Sequence, residues 1–345
     1  MKKFLNNLKS FGLKTWAFLR KFPVIITMSI LIPCLIYSGR YLFSTEYYYS
    51  HHLFYDGERI NVQAERFALT GIKDVTKIMD ISSFSNYQGG ACYENYYAIC
   101  SNNFECIIIY DMTTNKVEHA IYTNATNTDY HCNTCFFGPN FYSSEDKFPL
   151  LYISMENEPA RCTNVYRIVQ KAGQYKIEQV QQIFLEVDKE DYIYFPNSYY
   201  DYSSGKLYYA GYTKKSFLKS DDNLLRYYSF DLPDYRITMP VLTSKDIDDR
   251  FDLPSETATQ GGFISDGYLY QTFCFNSKTE RVKAPKMRIT DLVNHKVVLQ
   301  YEDLGKEFGR YDEFENIAIS RSGKLYATGQ KRTMIYEFTY EEKPE

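Results

Sequence analysis

Apolar and polar positions alternate with period two along residues 88–121, in four short runs: Ala91–Tyr93, Tyr96–Cys100, Cys106–Met112 and Val117–Ile121. Glu94-Asn95, Ser101–Phe104 and Thr113–Asn115 break these runs with turn-forming residues. Four antiparallel strands in succession predict one blade of a β-propeller.

The same unit recurs. Segments resembling Asn95-Tyr96-Tyr97-Ala98 carry anchoring tyrosines at 97, 152, 208, 270 and 326, at intervals of 55, 56, 62 and 56 residues. A period in this range is the signature of a propeller or solenoid, because one such unit cannot bury its apolar faces alone. Units three and four close with residues 225–232 and 286–301. The fifth ends with residues 333–340 and lacks a fourth strand. A ring must close, since an open edge invites pairing with other chains. Val75–Ile81 is expected to supply the missing strand, giving an all-β propeller of five four-stranded blades over residues 75–340 and a tail at 341–345. Residues 47–70 offer part of a sixth blade, so six or seven blades are the alternatives.

The chain before the propeller has a different hydropathy. Residues 22–39 are uncharged and mostly apolar, which is about the minimum length for a helix to cross the hydrocarbon core. Tyr41 to Phe43 extend the run while Arg40 reaches the interface. Tyr37-Ser38-Gly39-Arg40 offers no small-residue cleavage site, and Pro33 sits badly before Cys34 for lipid attachment, so an uncleaved signal anchor over 22–43 is the expectation. Residues 44–74 form a stalk.

Composition and charge then sharpen this picture. Apolar residues at 44% and charged residues at 24% of 345 are ordinary globular values, which exclude a disordered or multi-pass chain. The formal charge of −4 hides a polarity. Residues 1–21 hold six cations and no acid, so residues 22–345 sum to −10. The basic tail belongs on the cytoplasmic side, placing the propeller outside, in a periplasmic or extracellular space. Clustered cations are missing from this acidic domain, so nucleic acid is not an expected partner. The 35 tyrosines favour strands whose faces carry polar tips.

Eight cysteines are present, seven of them after the anchor. Cys100 and Cys106 flank a turn and are the expected disulfide of an exported domain. Cys132 and Cys135 form a C-x-x-C, but no second pair stands at zinc-site spacing, so no metal site is expected.

Residues 96–121, with their Ile-Ile-Tyr-Asp-Met-Thr-Thr-Asn-Lys-Val core, resemble a YVTN-type propeller repeat. Gln88-Gly89-Gly90 and Gln260-Gly261-Gly262 are similar to the Q-G motif that opens blades in glutaminyl-cyclotransferase-like proteins. The resemblance implies a propeller and, more weakly, an aminoacyl-cyclising activity.

In a propeller the first strand of each blade lines the axis and its first residues ring one mouth. Counting back from the anchors gives Gln88, His131 or Asn133, Asn197, Gln260 and Glu315 as the candidate ligand-binding ring. Amide side chains that both donate and accept suit a polar ligand or a chain of waters. Glycosidase chemistry needs two converging carboxylates, and the ring has only Glu315. No Walker A, H-E-x-x-H or G-x-S-x-G sequence occurs. The expected function is therefore a membrane-anchored extracytoplasmic propeller that binds a protein, peptide or polar ligand on one face, without cofactor and without chemistry. The alternative is a glutaminyl-cyclotransferase-like enzyme with Glu315 as general acid and base.

Overall fold

Each strand of the first blade sends alternate residues to opposite sides, and both sides are apolar. Tyr97 and Ile99 enter one buried cluster with Ile108 and Tyr110, whereas Ala98 and Cys100 enter another with Ile107 and Ile109. The apolar run at 106–110 thus serves two interfaces at once, which is the pattern of a sheet covered on both faces.

The computed structural model describes residues 32, 69–80, 87–123, 131–155, 161–171, 173–215, 224–255, 258–273, 286–301, 314–329 and 334–342. Two units divide the chain, Met1–Phe54 and Tyr55–Glu345. Apart from residue 32, the expected basic tail and anchor lie outside the described residues, as does most of the stalk. Among the described residues no helix is long and apolar enough to cross a membrane.

In chain order, β1 (Leu69–Asp80) precedes blade one, which holds β2 (Tyr87–Tyr93), β3 (Tyr96–Ser101), β4 (Cys106–Asp111) and β5 (Lys116–Tyr122). Blade two holds β6 (Cys132–Phe137), β7 (Leu151–Met155), β8 (Cys162–Lys171) and β9 (Gln174–Leu185). Blade three holds β10 (Tyr194–Asp201), β11 (Lys206–Tyr212) and β12 (Leu224–Asp231), then, after the short β13 (Val241–Leu242), β14 (Asp249–Pro254). Blade four holds β15 (Thr259–Ser265), β16 (Tyr268–Phe273), β17 (Lys286–Asp291) and β18 (Lys296–Tyr301). Blade five holds β19 (Phe314–Ile319), β20 (Leu325–Gly329) and β21 (Met334–Glu342). Its fourth strand is β1, antiparallel to β21 from Leu69↔Glu342 to Asp80↔Met334.

The protein is a five-bladed β-propeller closed by its N-terminal strand. The first strands β2, β6, β10, β15 and β19 touch one another in sequence, and β19 returns to β2. Five buried clusters each join two neighbouring blades, including one that unites Tyr97 and Tyr110 of blade one with Tyr326 and Ile335 of blade five. The core is therefore a ring of blade interfaces.

All five anchoring tyrosines lie on the second strand of a blade. Four are buried; at the third, Tyr208 is half-buried and the ring packed fully inside is its neighbour Tyr209. The Asp-containing corners have a local cause. Asp111 accepts from Thr113 N at 2.8 Å and Thr113 Oγ1 at 2.6 Å. Asp291 likewise accepts from Val293 N at 3.0 Å and Asn294 N at 2.9 Å, so a short acceptor side chain organises the turn.

Blade two departs from the expected four strands. Val241 and Leu242 pair in parallel with Phe184 and Leu185, so a segment of blade three covers the outer edge of β9. Gln181 Nε2 fastens that segment by donating to Asp234 O and Ile237 O, both at 2.8 Å. Covering an edge strand removes a template for aggregation.

The expected Cys100–Cys106 disulfide is corrected. The hairpin register pairs Cys100 with Ile107, which puts Cys106 one residue out of phase and on the opposite face of the sheet. Both are free thiols.

Candidate functional site

Two ends of the propeller axis present different chemistry. The first holds the polar residues picked out by counting back from the tyrosines. Gln88, Asn133, Asn197, Gln260 and Glu315 all lie near the start of an innermost strand, and all are buried, with exposures between 0% and 6%. They bridge blades. His131 Nε2 lies 3.1 Å from Gln88 Oε1. Asn133 Nδ2 donates to Thr259 O at 3.1 Å, and Asn197 Nδ2 donates to Thr259 Oγ1 at 3.2 Å. Thr259, a residue that counting did not select, thereby gathers blades two, three and four.

Glycine explains how the strands come this close. A Cβ at Gly261 would stand 2.2 Å from Asn316 Oδ1 and 2.7 Å from Glu315 O. One at Gly90 would stand 2.7 Å from both Asn316 Nδ2 and the Tyr97 hydroxyl. The two Q-G-G motifs thus supply backbone without side chains where β2 and β15 meet β19. Asn316 Nδ2 completes the junction by donating to Gly90 O at 2.9 Å and to Tyr97 OH at 3.0 Å. The amide nitrogens of Asn133, Asn197 and Asn316 thus hold strands together, and the Glu315 side chain is buried near them.

Further along the axis, buried hydroxyls link blades two and three. Thr134 Oγ1, Ser154 Oγ and Ser198 Oγ follow one another at 2.7 and 2.6 Å, and Thr163 Oγ1 joins Ser198 Oγ at 3.0 Å and Tyr209 OH at 2.8 Å. Blades three and four are linked by Gln271, which accepts from Tyr227 OH at 2.9 Å and donates to Tyr199 OH at 3.1 Å. Burial pushes the phenols of Tyr209 and Tyr227 above their ordinary range, which keeps them neutral donors.

The opposite end is open. There the later residues of the innermost strands, 90–92, 135–137, 199–203, 262–266 and 318–319, enclose a cavity of about 440 Å³. Every blade contributes to its wall. Six of the eighteen lining residues are aromatic, and stacking fixes several of them. Phe136 lies between Tyr152 and Tyr200, with centroids at 4.8 and 6.1 Å and interplanar angles of 11° and 15°. Phe263 stacks on Tyr270 at 4.5 Å and 9°. Tyr202 is 60% exposed at the rim, yet its hydroxyl donates to Phe137 O at 2.5 Å and so ties blade three to blade two.

Counting back from the anchors found the polar ring and missed this pocket. A signal for it existed in the pairs Phe136-Phe137 and Tyr199-Tyr200 and in Phe263, aromatic residues that recur a few positions after the ring residues. Nothing in one strand says which end of the axis stays open.

No protein-family model matches the chain, and no curated protein matches it. Among solved structures, the chain is similar to the glutaminyl cyclase of Myxococcus xanthus, at TM-score 0.46 and 9% identity over 81% of this chain and 100% of that one. It is similar to the soluble aldose sugar dehydrogenase of Escherichia coli at TM-score 0.45 and 8% identity, over 78% and 99% of the two chains. For hydrazine synthase of Kuenenia stuttgartiensis the TM-score is 0.39 at 11% identity; 70% of this chain is covered, and it spans 61% of that chain. Identities this low carry no ligand and no reaction across to this protein.

Proposed function

We propose that this chain is a ligand-binding β-propeller, held outside the cytoplasm by an N-terminal membrane anchor, that receives a small organic ligand in the axial pocket. One observation carries the reading: a cavity of about 440 Å³, walled by all five blades and rich in aromatic rings held by stacking. Concave, mostly apolar pockets with a few polar groups are the usual form of small-molecule sites. The residues that would hold the ligand lie on rigid strands, so little ordering is lost on binding.

A binding role is favoured over Glu315-based chemistry by where that one ring carboxyl lies. Glu315 has 0% exposure and lies at the starts of the innermost strands, whereas the pocket is walled by their later residues. General acid and base work needs a substrate proton within hydrogen-bond reach. The anchor rests on the uncharged run at 22–39 and on the six cations before it.

Thermal-shift screening of the full chain against a small-molecule library tests the pocket. Ligands should raise the unfolding temperature of the native chain by mass action. They should lose this effect in Ile319→Trp, which fills the cavity from blade five. Ligands that stabilise both proteins equally would refute the pocket as the site.

A further inference from the structure

Six aromatic residues line the axial pocket: Phe136, Phe137, Tyr199, Tyr200, Tyr202 and Phe263. The first four are buried between blades, whereas Phe263 is half-buried and Tyr202 exposed. Two carboxylates, Asp201 and Asp266, line it with them, and among the described residues no lysine, arginine or histidine does. The charge of this wall is one-sided.

Asp201 is 2% exposed, and its partners are all neutral. It accepts from Ser203 N at 3.0 Å, from Ser203 Oγ at 2.7 Å and from Ser204 Oγ at 2.7 Å. Lys206, five residues on, is engaged by Asp231 and Asp248 instead. Asp266 occupies a turn with φ of 52° and accepts from Ser265 Oγ at 3.2 Å at the exposed rim. Arg321 acts on the phenol of Tyr93 but contributes nothing to the wall. A buried carboxylate with no counter-ion is costly, and a cation brought beside it is correspondingly favoured.

Ring geometry adds to this. Phe263 is covered on one face by Tyr270. Tyr202 is an exposed residue whose ring is fixed through its hydroxyl. Ring faces attract cations, most strongly where water is excluded. An anion would meet the faces and both carboxylates unfavourably, and a neutral sugar would gain stacking without the charge term. The net −10 of residues 22–345 also raises the local concentration of cations.

We propose that the pocket takes a small organic monocation, an alkylated ammonium group seated against Phe263 and Tyr202 beside the exposed Asp266, with the buried Asp201 adding its charge to the field of the wall. This rests on the reading of the pocket as the binding site, and the experiment separates the two. Isothermal titration of the full chain compares acetylcholine with the uncharged isostere in which carbon replaces the quaternary nitrogen, and with a neutral methyl glucoside. Acetylcholine should bind roughly tenfold or more tightly than the isostere. Asp266→Asn, at an exposed turn position, should shrink that ratio several-fold while circular dichroism and melting stay unchanged.

An isostere or glucoside that binds as well as the cation would overturn the cation assignment and leave the pocket standing. Equal binding of acetylcholine by Ile319→Trp would overturn the pocket itself. Failure of acetylcholine to bind at all would overturn the cation assignment, with the library screen still deciding the pocket.

Discussion

Gly261 and Asn316 stand so close that a single added methyl at Gly261 would overlap the Asn316 side chain: the ideal Cβ position is 2.2 Å from Asn316 Oδ1. Blade four meets blade five through this contact, and Asn316 then reaches blade one by its amide. Gly261→Ala should lower stability by about 1–3 kcal/mol, the usual cost of overpacking. Asn316→Ala should cost a similar amount, about 1–3 kcal/mol, by leaving Gly90 O and Tyr97 OH without their donor. The double variant should lose less than the sum, because removing the amide opens part of the space the methyl needs. Urea denaturation of the four proteins checks this, and strict additivity would show that the contact is not shared.

Ring closure depends on a strand distant in sequence. Removing residues 1–80 should leave β21 with an unpaired edge, since its partner runs from Leu69 to Asp80. The truncated protein should aggregate or melt at markedly lower temperature. Size-exclusion chromatography reads the result. A monomeric truncation with unchanged melting would mean that β1 is dispensable.

Alkaline pH should unfold the protein before ordinary hydrolysis matters. Burial pushes the Cys162 thiol and the Cys106 thiol from 9.0 up to about 11, and raises Tyr97 and Cys135 further still. The folded state keeps these protons while the unfolded chain releases them from about pH 9, so folding is favoured in full below that pH and progressively less above it. Denaturation midpoints should be level near neutrality and fall from about pH 9 upward. In the same experiment maleimide should label Cys100, Cys132, Cys135 and Cys162 only after unfolding, because all four are buried. Rapid native labelling at these positions would contradict the packing.

Topology has its own measurement. Protease added to intact spheroplasts expressing the full chain should remove the propeller and leave the basic tail and the 22–43 segment protected. Protection of the propeller would reverse the proposed orientation.

Much of the architecture was legible in the chain because a propeller is a repeat. Tyrosines 97, 152, 208, 270 and 326 marked the second strand of each blade, and the missing strand of the fifth unit pointed to a closing segment around 75–81. Other features were hidden for physical reasons. Cys100 and Cys106 looked opposed, but a one-residue offset in the hairpin sends them to different faces, and register is a property of the pair of strands. The addition of Val241 and Leu242 to β9 joins two blades through a contact that no local pattern marks.

The polar ring shows the division most plainly. Counting back from the anchoring tyrosines placed Gln88, His131 or Asn133, Asn197, Gln260 and Glu315 near the starts of the innermost strands, since strand and turn lengths within a repeat are set locally. How near the strands come at that end is a tertiary matter, and Gly89, Gly90 and Gly261 permit the close approach at which those amides and Glu315 are buried. The sequence by itself marked the blades and the side chains near the axis, and it left six or seven blades as alternatives to five until the sheet pairing gave five. The tertiary structure decided where the described pocket lies, because a cavity is what remains after all five blades have packed.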